Sequence, residues 1–163
     1  MSKLIKSFSY ISIRWRNVHI EINSSDKIFI FINILNISST EKSDLIDVVK
    51  NIIIKYRTRL KLRGFYKAKV YVNEKVGLFI DLCKIDDIDY SNSLDLRVLV
   101  FYDEKVYFGT DDYFILEGCE KVRYFEKEFY CDVSDVEILR VVEFGHFIYG
   151  DEVLRLLEEG IIV

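Results

Sequence analysis

Proline is absent from this chain of 163 residues, alanine occurs once (Ala68) and cysteine three times. No stretch has the composition of a linker, and no internal repeat or low-complexity segment occurs. Cys83, Cys119 and Cys131 are odd in number, widely spaced and without a C-x-x-C pair. That argues against a disulfide framework and against the common zinc spacings. Cys83 and Cys131 fall within apolar strand patterns, so free, mostly buried thiols are expected, and with them a reducing cytoplasm. Nowhere does an apolar run reach the roughly 20 residues of a membrane-spanning helix. The opening MSKLIKSFSY has two lysines but no sustained apolar region or small-residue cleavage site, so no signal peptide is expected. A glycine-rich phosphate loop, a nucleophile elbow, an H-E-x-x-H pair and a dinucleotide fingerprint are also missing.

What is present is globular. Half of the residues are apolar, 31% are charged and 15% aromatic. A chain of this length buries roughly 70% of its unfolded surface, so its core needs neither disulfide nor metal. Ile, Lys, Tyr, Phe and Asn are abundant, the residue bias of an AT-rich and most simply bacterial genome.

Alternation places strands through residues 65–133. Ala68, Val70 and Val72 share a parity with Val76, Leu78, Ile80 and Leu82, which predicts a hairpin of 66–72 and 76–82. A turn through Asn73-Glu74-Lys75 would set residue 72 against 76. Lys67, Lys69, Tyr71 and Asp81 fall on the other face, a mixture suited to solvent or partial cover. A second hairpin is expected from 94–102 and 106–115, turning near Asp103-Glu104. A third joins 122–125 to 128–133 through Glu126-Lys127, where the parity switch fits a two-residue turn. Upstream, Ile11, Ile13 and Trp15 alternate on odd positions and Val18, Ile20 and Ile22 on even ones, with the turn at Arg16-Asn17. Residues 27–37 are apolar on both parities, as in a central strand covered on both sides.

Helical spacing appears in Leu45, Val48, Val49, Ile52, Ile53, Tyr56 and Leu60, following a Ser38-Ser39-Thr40 start and stopped at Gly64. This helix should bury Val49 and Ile52 against a sheet. Ser134-Asp135-Val136-Glu137 has the form of a capping box opening a helix to Phe144, with Gly145 after it. A second short helix is expected from Asp151 to Gly160, and the apolar Ile161-Ile162-Val163 should dock on the body.

Charge is unevenly distributed. Residues 1–70 carry 14 Lys+Arg against 5 Asp+Glu; residues 71–163 carry 9 against 22. The basic part concentrates in Lys50, Lys55, Arg57, Arg59, Lys61, Arg63, Lys67 and Lys69, with no acid among them. With Tyr56, Tyr66 or Trp15 to stack on bases, these cations form a candidate phosphate-binding or protein-binding surface. A solvated or internally neutralised basic face is the structural alternative. If the helix and strand faces converged, at least four cations would align.

Asp81, Asp86, Asp87, Asp89, Asp95 and Asp111-Asp112 could offer hard oxygen ligands. The D-D-x-D spacing lacks the glycine and distal Glu of a calcium loop. Asp81 with Asp95-Leu96-Arg97 approaches a nuclease pattern but has Arg where Lys is expected. His19, on a polar parity, should be exposed, and His146 should be structural; neither has triad or ligand spacing. Phe101, Tyr102, Tyr107, Phe108, Tyr113 and Phe114, then Tyr124, Phe125, Phe129 and Tyr130, give sheet packing and an aromatic contact face. In Glu143-Phe144-Gly145 and Leu157-Glu158-Glu159-Gly160 the end of the chain resembles the C-terminal part of bacterial protease-adaptor proteins of the MecA type. That resemblance is confined to residues 143–160.

Together these features predict an α+β protein, mostly antiparallel sheet, with one long helix in the N-terminal half and two short C-terminal helices. One compact unit is expected, with a basic subdomain over 1–85, an acidic one over 94–163 and a polar connection between them. The expected function is that of a non-catalytic cytoplasmic regulatory or interaction protein using an aromatic and charged sheet surface, with a protein partner or a second copy and no cofactor. Nucleic-acid binding through residues 50–69 is the alternative, and a metal-dependent hydrolase or nuclease the third reading.

Overall fold

A computed structural model describes residues 11–15, 18–24, 26–33, 42–86, 94–102 and 104–163. The chain is α+β and divides into two compact units, Met1–Phe101 and Tyr102–Val163. In the first, β1 (Ile11–Trp15), β2 (Val18–Ser24) and β3 (Lys27–Ile32) form consecutive antiparallel strands. Helices α1 (Lys42–Lys55) and α2 (Arg57–Leu60) follow, then β4 (Gly64–Asn73), β5 (Gly77–Asp86) and β6 (Leu94–Phe101). The sheet order is β1-β2-β3-β5-β4-β6. β5 lies between β3 and β4, so the β3-α1-β4 crossover is split by one strand.

The helix forms because its apolar residues recur at the right interval. Leu45, Val49 and Ile53, each four apart, are fully buried, while Val48 and Ile52 are half-buried at the sides of the stripe. They pack on Ile20, Ile30, Tyr66, Ala68, Val70 and Ile80, the even-numbered face of the sheet. Asp44 in the first turn and Lys55 in the last complement the helix dipole. The stop is not Gly64. Lys61 takes a left-handed conformation (φ 54°), and the Leu62 N–H closes on the Arg57 carbonyl at 3.0 Å. Gly64, at φ 97°, instead opens β4. The expected Ser38-Ser39-Thr40 start and the Arg16-Asn17 turn lie outside the described residues, although Trp15 pairs with Val18 across that turn.

The β4–β5 hairpin keeps the expected parity but closes later. Asn73 pairs with Gly77 and Val72 with Leu78, so the loop is Glu74-Lys75-Val76. Asn73 Oδ1 accepts from the backbone N–H groups of Lys75 and Val76 at 3.0 and 3.1 Å, an Asx turn that draws Asn73 into the strand end. Asn33 Nδ2 donates to the Val76 carbonyl at 2.8 Å and ties β3 to the same loop. β6 departs further from expectation. It pairs in parallel with β4, and no hairpin with residues 106–115 forms. Leu94, Leu96, Val98 and Val100 find their apolar surroundings beside Tyr66, Ala68 and Val70, so β6 belongs with the first unit and not with the acidic residues after it.

In the second unit β7 (Tyr107–Thr110), β8 (Arg123–Phe125), β9 (Glu128–Asp132), β10 (His146–Ile148) and β11 (Ile161–Ile162) pair antiparallel in the order β10-β7-β9-β8-β11. The β8–β9 turn is the expected Glu126-Lys127, both at positive φ (48° and 68°), as a type I′ turn requires. β7 stops at Thr110 because Asp112 accepts from the Phe114 N–H and starts a 3₁₀ turn, Tyr113–Leu116. The expected capping box is not made. Asp132 accepts from the Ser134 backbone and hydroxyl at 2.9 and 2.7 Å, which gives a 3₁₀ turn (Val133–Asp135) and only a short α3 (Ile138–Val141). Helix α4 (Asp151–Glu159) ends at Gly160 as expected, and its Val153 and Leu156 pack on Tyr107, Tyr130 and Ile148. None of the described helices is long and apolar enough to cross a membrane.

Truncating the centre of the α1 stripe tests the helix-on-sheet packing. Ile53→Ala should destabilise by about 2–5 kcal/mol through lost transfer and cavity terms, and half-buried Ile52→Ala by clearly less. Urea unfolding that shows equal losses, or none, would contradict this packing.

Candidate functional site

The eight cations of residues 50–69 do not form one surface. Tyr66, Ala68, Val70 and Val72 of β4 point into the core shared with α1. Successive strand residues alternate, so Lys67 and Lys69 project from the opposite face of the sheet. Lys50 and Lys55 lie on α1, Arg57 and Arg59 on α2, and Lys61 and Arg63 in the connection to β4. Lys55, in the last turn of α1, offsets the partial negative charge of that helix end. The convergence of at least four aligned cations from helix and strand is thereby excluded.

Lys67 and Lys69 enter a face of different character. Along β2, β3, β5, β4 and β6 the register aligns His19, Phe31, Phe79, Tyr71 and Phe101 in one row. The next row is Glu21, Phe29, Asp81, Lys69 and Leu99. Phe31 stacks on Phe79 at 4.9 Å and Tyr71 on Phe101 at 5.5 Å, both with ring planes 21° apart. His19 is buried, contrary to expectation, and its Nε2 lies 3.1 Å from Glu21 Oε1. Tyr71 and Asp81 are buried too, while Lys67 and Lys69 are half-buried. β2, β3 and β5 are internal strands, so a polar parity there does not mean exposure. The Cys83 thiol donates to Asp81 Oδ1 at 3.4 Å and is pushed up by burial and by the Asp81 charge.

Asp81 and Asp95 are kept apart. Asp81 is in register with Lys69 and Asp95 with Phe65, an offset of four residues or about 13 Å along β4, and the two lie on the strands to either side of it. Residues 87–93, with Asp87 and Asp89, lie outside the described residues. Asp111 and Asp112 are exposed, and Asp112 serves as the cap already described. Among the described residues no three His, Cys, Asp or Glu side chains are placed to hold a metal ion.

The second unit holds a cluster that sequence reasoning missed. His146 Nε2 lies 2.6 Å from Glu128 Oε2, and the Tyr130 hydroxyl donates to the same oxygen at 2.9 Å. Gly109 makes this possible, because it pairs with both His146 and Tyr130 across the sheet. A Cβ at Gly109 would collide with the Tyr130 ring, so only glycine lets that ring lie across β7 and edge-on to His146. Burial, followed by the Glu128 charge, pushes the Tyr130 phenol well above its ordinary value; burial raises Tyr107 also. A glycine inside a strand pattern was the available signal.

Exposed apolar residues are the other feature of this unit. Tyr124 of β8 stands opposite Ile161 of β11. Ile161, Ile162 and Val163 are all exposed, as are Leu154 and Leu157, three apart on α4. The final residues are thus docked through their backbone, with the Val163 N–H on the Val122 carbonyl at 2.9 Å, and not through their side chains. Arg155, whose guanidinium lies over the Phe125 ring at 5.4 Å, bonds Glu126 at 2.8 Å. The aromatics expected to share one hairpin are distributed: Phe101 belongs to the first sheet, Tyr107 and Phe108 are buried, and Tyr113, Phe129 and Tyr124 form a chain of ring contacts at 5.4 and 5.0 Å. No known protein family matches the chain, and no curated protein or solved structure matches it.

The Tyr130 cluster makes a pH-dependent contribution. Its folded-state value is raised, so the stabilisation is whole below the ordinary tyrosine value of 10.0 and is lost as the pH rises through the folded-state value. Tyr130→Phe should lower stability by about 1 kcal/mol at neutral pH and flatten the decline above about pH 10. Melting curves with the same alkaline decline in both proteins would contradict this.

Proposed function

We propose that this chain is a small, non-catalytic interaction protein of the cytoplasm, holding an extended segment of another protein on the sheet and helix surface of residues 102–163. The observation that carries this reading is where apolar residues are exposed. Of thirteen large hydrophobic residues exposed among those described, ten fall in residues 102–163. A run of such residues at a sheet edge is what a contact surface needs. Among the described residues β11 is the last strand in its sheet and pairs on one edge only, so an extended segment could add at the other through main-chain hydrogen bonds. Residues 102–163 carry 16 Asp+Glu against 6 Lys+Arg, which favours a basic partner segment and opposes phosphate.

Affinity capture from native extract, with and without nuclease, tests this reading against the nucleic-acid alternative. Leu157→Asp/Ile161→Asp changes only exposed side chains, so its stability should stay within roughly 0.5 kcal/mol of the parent. The expected result is a set of proteins retained by the parent chain, insensitive to nuclease and lost from the double variant. Equal retention by the variant, or retention that nuclease abolishes, would contradict the reading.

A further inference from the structure

We propose that the outer edge of β6 is a self-association site, at which a second copy of this chain pairs antiparallel through its own β6. The site belongs to the first unit and goes beyond the contact surface of residues 102–163. Among the described residues β6 is the last strand of its sheet, and its one neighbour is β4. That pairing runs through all eight residues, from Gly64 opposite Leu94 to Tyr71 opposite Phe101, and neither a bulge nor a proline interrupts it. A regular edge of this length offers a row of backbone N–H and C=O groups to another strand. Leu94, Leu96, Val98 and Val100, on the helix side, are only half-buried against the core, so a partner strand has apolar surface to cover there.

The charges of β6 select the occupant. Asp95 and Arg97 are exposed and, being two apart, share the face opposite Leu94, Leu96 and Val98. A two-fold axis normal to the sheet keeps the helix sides of both copies together, so directly opposed residues have the same parity. Centred on Leu96, that axis sets Asp95 against the partner's Arg97, Arg97 against the partner's Asp95, and Leu94 against the partner's Val98. Centred on Asp95 or Arg97, it would oppose two like charges. Centred on Val98, it would set both charges against Leu99 and Phe101. Opposite charges directly across a strand pair stabilise it and like charges oppose it. Asp95 and Arg97 therefore fix the register, while main-chain hydrogen bonds and the apolar side chains supply the contact. An unrelated strand meets this charge order only by chance; a second copy meets it by symmetry.

Exchanging the two charges and measuring mass by sedimentation over a concentration series tests the proposal. The parent should approach the mass of two chains as its concentration rises. Asp95→Arg and Arg97→Asp each create two directly opposed like-charge pairs, and each should weaken association about tenfold or more. Both positions are exposed, so neither change should disturb the fold. Mixed in equal amounts, the two variants oppose unlike charges again and should associate as the parent does. The double exchange Asp95→Arg/Arg97→Asp should do so by itself. A parent that keeps the mass of one chain throughout would overturn the proposal. So would single variants that associate like the parent, or a mixture and a double exchange that fail to recover.

Discussion

A β-strand sends consecutive side chains to opposite faces, and six paired strands extend that local rule across the whole first unit. On β4 and β5 the even-numbered Tyr66, Ala68, Val70, Leu78, Ile80 and Leu82 go to the helix side, where they enclose Leu45, Val49 and Ile53. Everything odd-numbered goes to the other side, where charges and aromatics share rows: His19 with Phe31 and Phe79, Asp81 with Phe29 and Lys69. Burying this second face is costly unless its polar groups find partners. The His19–Glu21 pair and the Asp81–Cys83 hydrogen bond supply two of them.

The same rule decides the fate of the basic stretch. Eight cations crowd residues 50–69 of the sequence, yet proximity along a chain is not proximity in space once the chain enters a sheet. Lys67 and Lys69 leave on the far side from α1, whereas Lys55 in the last turn of α1 and Arg57 and Arg59 on α2 stand where cations complement a helix dipole. For these three the clustering has a local structural cause before any ligand is invoked. In the second unit, by contrast, the strands are short and the surplus of acid is large. Apolar side chains of α4, β8 and β11 stay exposed there, which is why the interaction reading rests on that unit.

Much of the architecture could be read before any coordinates. Parity located β1, β2, β4, β5, β8 and β9, the 3.6-residue period located α1, and Glu126-Lys127 was recognisable as a two-residue turn from the parity switch alone. What escaped were features set by partners distant in sequence. β6 reads as half a hairpin because its neighbour in sequence is another apolar strand, whereas its actual partner is β4. His19 reads as exposed because nothing local shows that β2 is an internal strand. Ser134 resembles a helix cap, but its own backbone N–H, which Glu137 would accept in a capping box, is taken by Asp132 two residues earlier. The Glu128–Tyr130–His146 cluster was hidden because its members come from two strands and depend on a glycine in a third.

Titration of labelled single-stranded RNA at two salt concentrations tests the central claim, that the sheet sorts these cations onto opposite faces. Two variants suffice, Lys55→Glu/Arg59→Glu on the helix side and Lys67→Gln/Lys69→Gln on the far side. The account predicts weak binding that only the helix-side variant alters. Its salt dependence should reflect that single group of cations, at about −0.7 in log–log slope per phosphate neutralised. Micromolar binding near physiological salt that both variants abolish would contradict it, because one strand of RNA would then have to engage both faces of the sheet as a single surface.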